Sequence, residues 1–170
     1  YQNRTSKMLR NIFKEGLVRI EWDVSEYDGH TFNHNLIYAP RVDIAVGPFN
    51  SYMDLDIGID KTKPFQNHPF TKKLSEVLLR NADSLDQVWS STPLCYLAIE
   101  IEFSGSSKHI LGSIINACVS GAIGIVVANK ENLDKVQRAY KYIMRLDAHE
   151  RISINYLRNL VVFEENEFLD

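Results

Sequence analysis

Ala98-Ile99-Glu100-Ile101-Glu102-Phe103-Ser104-Gly105 sets two carboxylates two residues apart inside an otherwise apolar, β-branched stretch. A strand turns successive side chains to opposite faces, so Glu100 and Glu102 share one face while Leu97, Ile99, Ile101 and Phe103 share the other. Two acids about 7 Å apart along a strand repel each other and bring charge close to a core. Such a pair is either the wet face of an antiparallel strand, on which acids are cheap, or a site that a cation or a reacting proton requires. The residues downstream favour the second. A Ser104-Gly105-Ser106-Ser107 turn, Lys108 and a helical stretch over 107–120 lead into Ile123-Gly124-Ile125-Val126-Val127-Ala128. A continuous apolar run of this kind is a strand covered on both faces. The acidic strand, over 94–104, therefore belongs to a mixed sheet flanked by helices, which leaves its carboxylates at an edge or cleft.

Strand, helix, strand is the rhythm of a parallel crossover, and Leu111, Ile114, Ile115, Cys118 and Ala122 form the expected apolar stripe of its helix. Upstream, Met8, Leu9, Ile12 and Phe13 stand at helical spacing over 5–14 behind Thr5 and Ser6, with Gly16 as a stop. Residues 17–24 alternate as a strand, Tyr27-Asp28-Gly29-His30 signals a turn, and 36–47 resumes as a strand. In that second strand Asp43 shares a face with Arg41, Ala45 and Gly47, and its small neighbours leave it uncovered. From 48 to 93 periodicity is weak apart from a helix near 71–81, which marks an insertion between two core strands. After the apolar strand an amphipathic helix spans 131–146, and 160–163 adds a last strand. The expected order is αβββαβαβ in a single domain, 1–170.

The 170 residues, 45% of them hydrophobic, suffice for one substantial core. A net charge of −3 neither announces nor excludes a polyanionic partner, but basic residues cluster in four places: Arg4, Lys7, Arg10, Lys14 and Arg19; Lys61 and Lys63; Lys72, Lys73 and Arg80; and Lys130, Lys135, Arg138, Lys141 and Arg145. Cys95 and Cys118 stand alone in apolar sequence and are expected as reduced core residues of a cytoplasmic protein. The absence of a signal peptide and of an 18-residue apolar run argues against a membrane partner. Asp54, Asp56 and Asp60 form an acidic loop rather than a calcium loop, since Phe65 stands where the closing glutamate belongs. His30 and His34 lie in turn-like sequence without a third ligand. Ser104 to Lys108 lacks the full glycine-lysine-serine pattern of a phosphate cradle.

With Asp43 in Arg41-Val42-Asp43-Ile44-Ala45-Val46, and Glu100 and Glu102 followed by a helix, the stretch 5–128 resembles the PD-(D/E)xK nuclease superfamily, which includes many type II restriction endonucleases. The resemblance implies an α/β fold with a restriction-endonuclease-like mixed β-sheet core. It implies a Mg²⁺-dependent endonuclease, with Mn²⁺ able to substitute, that hydrolyses phosphodiester bonds in double-stranded DNA. Cutting both strands takes two sites, hence a homodimer. Carried over, Asp43 and Glu100 are the metal ligands, and Glu102 stands where the family most often has lysine, adding a third carboxylate to the metal set. Lys108, from the following helix, is placed for the missing lysine's role. Glu15 falls where the family often carries an acid that orders metal-bound water, and Glu21 is a second candidate. The physical case agrees, because Mg²⁺ prefers hard oxygen ligands and keeps several waters. Glu102 in the lysine position also leaves open a catalytically degenerate nuclease fold that binds DNA or a protein partner.

Overall fold

A computed structural model describes residues 1–24, 26–27, 30–31, 40–49, 67–79, 94–148 and 157–169. Helix α1 (Gln2–Ile12) and a 3-10 turn (Glu15–Leu17) lead into β1 (Val18–Asp23), then a short pairing of β2 (Glu26–Tyr27) with β3 (His30–Thr31), and β4 (Arg41–Val46). Helix α2 (Pro69–Leu79), β5 (Cys95–Glu102), α3 (Ser107–Ser120) and β6 (Gly121–Ala128) follow. The chain continues through α4 (Lys130–Ala148), a 3-10 turn (Leu157–Asn159), β7 (Leu160–Glu164) and α5 (Glu165–Leu169).

Among the described residues the main sheet has five strands in the order β1-β4-β5-β6-β7. The first three are antiparallel and the last three parallel, so the sheet is mixed. Parallel neighbours cannot be joined by a hairpin, and α3 and α4 supply the two crossovers. Both helices lie on one face, where Ile110, Ile114, Ala117, Val136 and Ile143 pack against Val126, Ala128 and Leu160. On the other face Leu9, Phe13, Leu74, Leu78 and Phe168 cover Ile44, Ile99, Ile125 and Val127. Each such side chain contributes about 1.5–3 kcal/mol by leaving water. This double cover accounts for the apolar run of β6, whose eight residues are all buried. It also accounts for Gly124: a Cβ there would stand 2.8 Å from the Ala117 carbonyl carbon, so the glycine lets α3 lie directly on the strand.

The acidic strand β5 is the central strand of this sheet rather than an edge. Its apolar residues and its acids take opposite faces, as alternation requires, but the acidic face is roofed by α3 instead of facing water. Helix α3 is rotated from the expected stripe: Ile110, Ile114, Ala117 and Cys118 are buried, whereas Ile115 is 47% exposed. Helix α1 starts three residues before Thr5. Thr5 and Ser6 are buried rather than capping, and Tyr1 anchors the start by donating to Glu165 O at 2.7 Å and packing on Phe103 at 5.2 Å between ring centres. Asn159 clamps the α3–β6 junction, its Nδ2 donating to Cys118 O, Gly121 O and Ala122 O at 3.0, 2.9 and 3.2 Å. Cys95 and Cys118 are free and buried, and burial pushes both thiols well above the ordinary range. No helix among the described residues is long and apolar enough to cross a membrane. Of the expected insertion at 48–93, α2 is described; Asp54 to Asp60 lie outside the described residues, as do His34 and residues 36–39.

Candidate functional site

The β4–β5 ladder pairs Val46 with Leu97, Ala45 with Ala98 and Ile44 with Ile99. One step further, where the register sets Asp43 opposite Glu100, a side chain takes over from the backbone: Asp43 Oδ2 accepts the Ile101 N–H at 2.7 Å. A carboxylate that occupies a ladder position holds the strands in register while keeping its second oxygen for other partners. On the far side of β4, the pairs Ile20–Ile44 and Trp22–Val42 bracket Glu21, so the registers place Glu21, Asp43 and Glu100 in one row across three strands.

Two features fix the outer end of this row. Glu21 has φ 50°, a left-handed backbone that costs a non-glycine residue about 1–2 kcal/mol. Gln2, at the start of α1, donates Nε2 to Glu21 Oε1 at 2.8 Å and to Asp43 O at 2.9 Å. One amide thus ties the helix to both strands beside the acids.

Glu100 and Glu102 are both buried, at 6% and 3% exposure, but their oxygens are used differently. Glu102 is fully engaged. Its Oε1 accepts from Ser104 N (3.1 Å), Ser104 Oγ (2.6 Å) and Gly105 N (3.1 Å), and its Oε2 accepts from Ser113 Oγ of α3 (3.1 Å). Asn132 Nδ2 grips the same turn by donating to Phe103 O at 3.0 Å, and Gly105 meets it with φ +72°. Glu102 therefore shapes the turn that launches α3. Glu100, by contrast, has Asn116 of α3 as a polar neighbour that favours its ionised form, while its Oε1 has no hydrogen-bond partner among the described residues.

An uncompensated oxygen at that depth destabilises the ionised form. Burial, and then the charge of Asp43, push the Glu100 carboxyl up to about 9, against the opposing bond from Asn116; Glu102 and Glu21 push the same way. The Asp43 carboxyl is also raised, first by burial and then by Glu21 and Glu102, and the Ile101 N–H opposes the shift. Asp43, Glu102 and Glu21 thus act on Glu100, and Glu21 and Glu102 act on Asp43.

Of the sequence candidates, the strand registers set Glu21, Asp43 and Glu100 side by side, and Glu102 follows two residues along β5. The structure does not bring in the other two. Lys108 is exposed on the first turn of α3 and is not among the charges that act on Asp43 or Glu100. Glu15 is exposed in the 3-10 turn and lines a groove beside α1. Gln2, Ser113 and Asn116 escaped the sequence reading; the i, i+3 spacing of Ser113 and Asn116 on a helix after an acidic strand is the signal that finds them.

Among the described residues, no three His, Cys, Asp or Glu side chains gather as a ready metal cage. Ions differ in the donors they need. Zn²⁺ wants a closed set of nitrogen and sulfur donors and Ca²⁺ six to eight oxygens, whereas Mg²⁺ takes one or two carboxylates and completes its shell with water and phosphate. The free oxygen of Asp43 and the unpartnered Oε1 of Glu100 fit that demand. No family model, curated protein or solved structure gives a match to the chain.

Proposed function

We propose that this chain is a Mg²⁺-dependent endonuclease of the restriction-endonuclease-like fold that hydrolyses phosphodiester bonds in double-stranded DNA, with Mn²⁺ as an alternative ion. The observation that carries the reading is the unpartnered Oε1 of Glu100, 94% removed from water beside a second carboxylate. Nothing in the fold of the sheet requires an acid there. A divalent cation would compensate such an oxygen.

Asp43 and Glu100 would hold the ion, which when bound polarises a phosphate oxygen and lowers the pKa of an attacking water. Holding the ion would require both carboxylates ionised, so Glu100 would have to give up its proton. Glu102 serves by position: it fixes the 103–106 turn and, through Ser113, the roof that keeps bulk water from Glu100. Glu21, held by Gln2 at the end of the row, is placed to orient water on the metal. Lys108, exposed at the start of α3, is available to a phosphate rather than to the attacking water. Hydrolysis of both strands calls for two such sites, hence a homodimer, and the reduced cysteines suit the cytoplasm.

One observation favours a second reading. Glu102 spends one oxygen on the turn and the other on Ser113, and no lysine is among the charges that act on Asp43 or Glu100, so a binding domain with the nuclease fold and no turnover is also consistent. Supercoiled and linear DNA incubated with Mg²⁺ or Mn²⁺ separate the two. Metal-dependent cutting that Asp43→Ala and Glu100→Gln both abolish supports the nuclease. Tight DNA binding with no cutting of any substrate supports the binding domain.

A further inference from the structure

We infer that the exposed face of α1 is the track on which the phosphate backbone of duplex DNA approaches the acid row. What lies at the end of the track rests on the nuclease reading; the binding itself does not. Arg4, Lys7 and Arg10 recur at i, i+3 and i+6, all exposed, on the side of the helix away from buried Thr5 and Leu9. No acid occurs from Gln2 to Lys14, so the face carries one sign of charge. Among the described residues none of these three cations enters an ion pair with a carboxylate. At 1.5 Å rise per residue they span about 9 Å, the axial length of two to three phosphates on one strand.

A groove of about 550 Å³ runs beside this face, and Asn3, Lys7, Arg10 and Asn11 line it, with Glu15 as its one acid. Amide and cationic donors suit phosphate oxygens, which offer only lone pairs. Position gives the face its meaning. The same helix begins at Gln2, whose amide touches both Glu21 and Asp43, so the first turn of α1, which carries Arg4, lies beside the acid row. The other basic helix is less suited. On α4 the charges of Lys130, Lys135, Arg138 and Lys141 are interrupted by Glu131 and Asp134, Lys135 bonds Asn132, and Arg138 bonds Asp134 O.

The test is binding of a fluorescent 30-base-pair duplex, measured without divalent metal between 50 and 200 mM salt. Removing three phosphate contacts by Arg4→Gln, Lys7→Gln and Arg10→Gln together lowers the slope of log K against log salt by about 2.7 and weakens binding about 100-fold or more. The matched triple Lys135→Gln, Arg138→Gln and Lys141→Gln changes both little. A thermal melt confirms folding; if the α1 triple melts early, the single reversals Lys7→Glu and Arg10→Glu carry the test. An α1 variant with wild-type slope and affinity overturns the inference. Equal loss in the α4 variant overturns it too, as does a wild type that binds polyglutamate but no duplex. Absence of cutting with α1-dependent binding intact leaves this inference standing and removes the nuclease. Cutting that survives the α1 triple does the reverse.

Discussion

Replacing Glu100 by glutamine should make the metal-free protein more stable, although it removes a residue placed at the centre of the site. The folded protein holds the Glu100 proton up to about pH 9, whereas an ordinary glutamate releases it at 4.5. Below 4.5 both states hold the proton and the residue makes no pH-dependent difference. Between 4.5 and about 9 only the folded state holds it, so stability falls as pH rises, by about 1.4 kcal/mol per unit. Above 9 both states have released it and the loss is complete. At pH 7 the deficit is on the order of 3 kcal/mol, a large share of the 5–15 kcal/mol that holds a typical domain together. Glutamine keeps the shape and the Asn116 contact but does not titrate. Urea unfolding of wild type and Glu100→Gln at pH 5, 7 and 8.5 should show a gap near zero at pH 5 that widens with pH in favour of the variant. Magnesium at 100 times its Kd should return about 2.7 kcal/mol to the wild type and nothing to the variant. A gap that stays flat with pH, or a variant less stable than wild type at pH 8.5, would refute the reasoning.

Three further substitutions probe the frame around the acids. Glu102→Ala strips the acceptor from Ser104 and Gly105 N–H and from Ser113 Oγ, and should cost about 2–3 kcal/mol in chemical unfolding; a double-mutant cycle with Ser113→Ala should show coupling, and strict additivity would count against the clamp. Gly105→Ala should lower the melting temperature, because φ +72° disfavours a side chain and the new Cβ would meet Asn132 Oδ1 at 2.5 Å; about 1–3 kcal/mol is expected, with Asn132→Ala relieving part of it. Asn159→Ala should cost about 2–3 kcal/mol by leaving the carbonyls of Cys118, Gly121 and Ala122 without their shared donor, and a change under 0.5 kcal/mol would show that the clamp is dispensable.

The parallel half of the sheet was legible because its signals are local. The six residues 123–128 admit one arrangement, a strand covered twice, and α3 follows from the need to cross over; the strand in fact begins two residues earlier, at Gly121, and takes Ala122 from the expected helix stripe. Asp43 and Glu100 were legible as a pair only through the resemblance, since 57 positions separate them and periodicity says nothing about which strands meet. The rotation of α3 was not legible. A stripe through Ile115 is as apolar as one through Ala117, and the choice was made by Ser113 and Asn116, which must reach Glu102 and Glu100. Helix α1 was misplaced for a related reason: Thr5 and Ser6 are favoured at helix starts, but the docking of Tyr1 on Phe103 extends the helix past them. The turn role of Glu102 did carry a sequence signal, a carboxylate two and three residues ahead of Ser104 and Gly105, the geometry in which short polar turns close.

Counting free oxygens decides what the acid row can hold. Four carboxylates bring eight oxygens, a number that by itself would suit Ca²⁺. Glu102 commits both of its own to the turn and α3, Asp43 commits one to Ile101 N, and Glu21 gives one to Gln2. Asn116 holds Glu100 without covering Oε1. The buried part of the row is left with one oxygen from Asp43 and one from Glu100, on neighbouring strands. Under the proposed function, two free oxygens among the described residues match an ion that completes its octahedron with water and phosphate better than Ca²⁺, which takes six to eight oxygens, or Zn²⁺, which prefers nitrogen and sulfur. The same arithmetic explains the instability assigned to Glu100. Under the proposed function, a third ligand or a basic neighbour would relieve its burial in the metal-free protein but would also take up the open positions that a phosphate and a water need. Glu102, with both oxygens held by Ser104, Gly105 and Ser113, adds no such ligand and instead holds the turn beside the site.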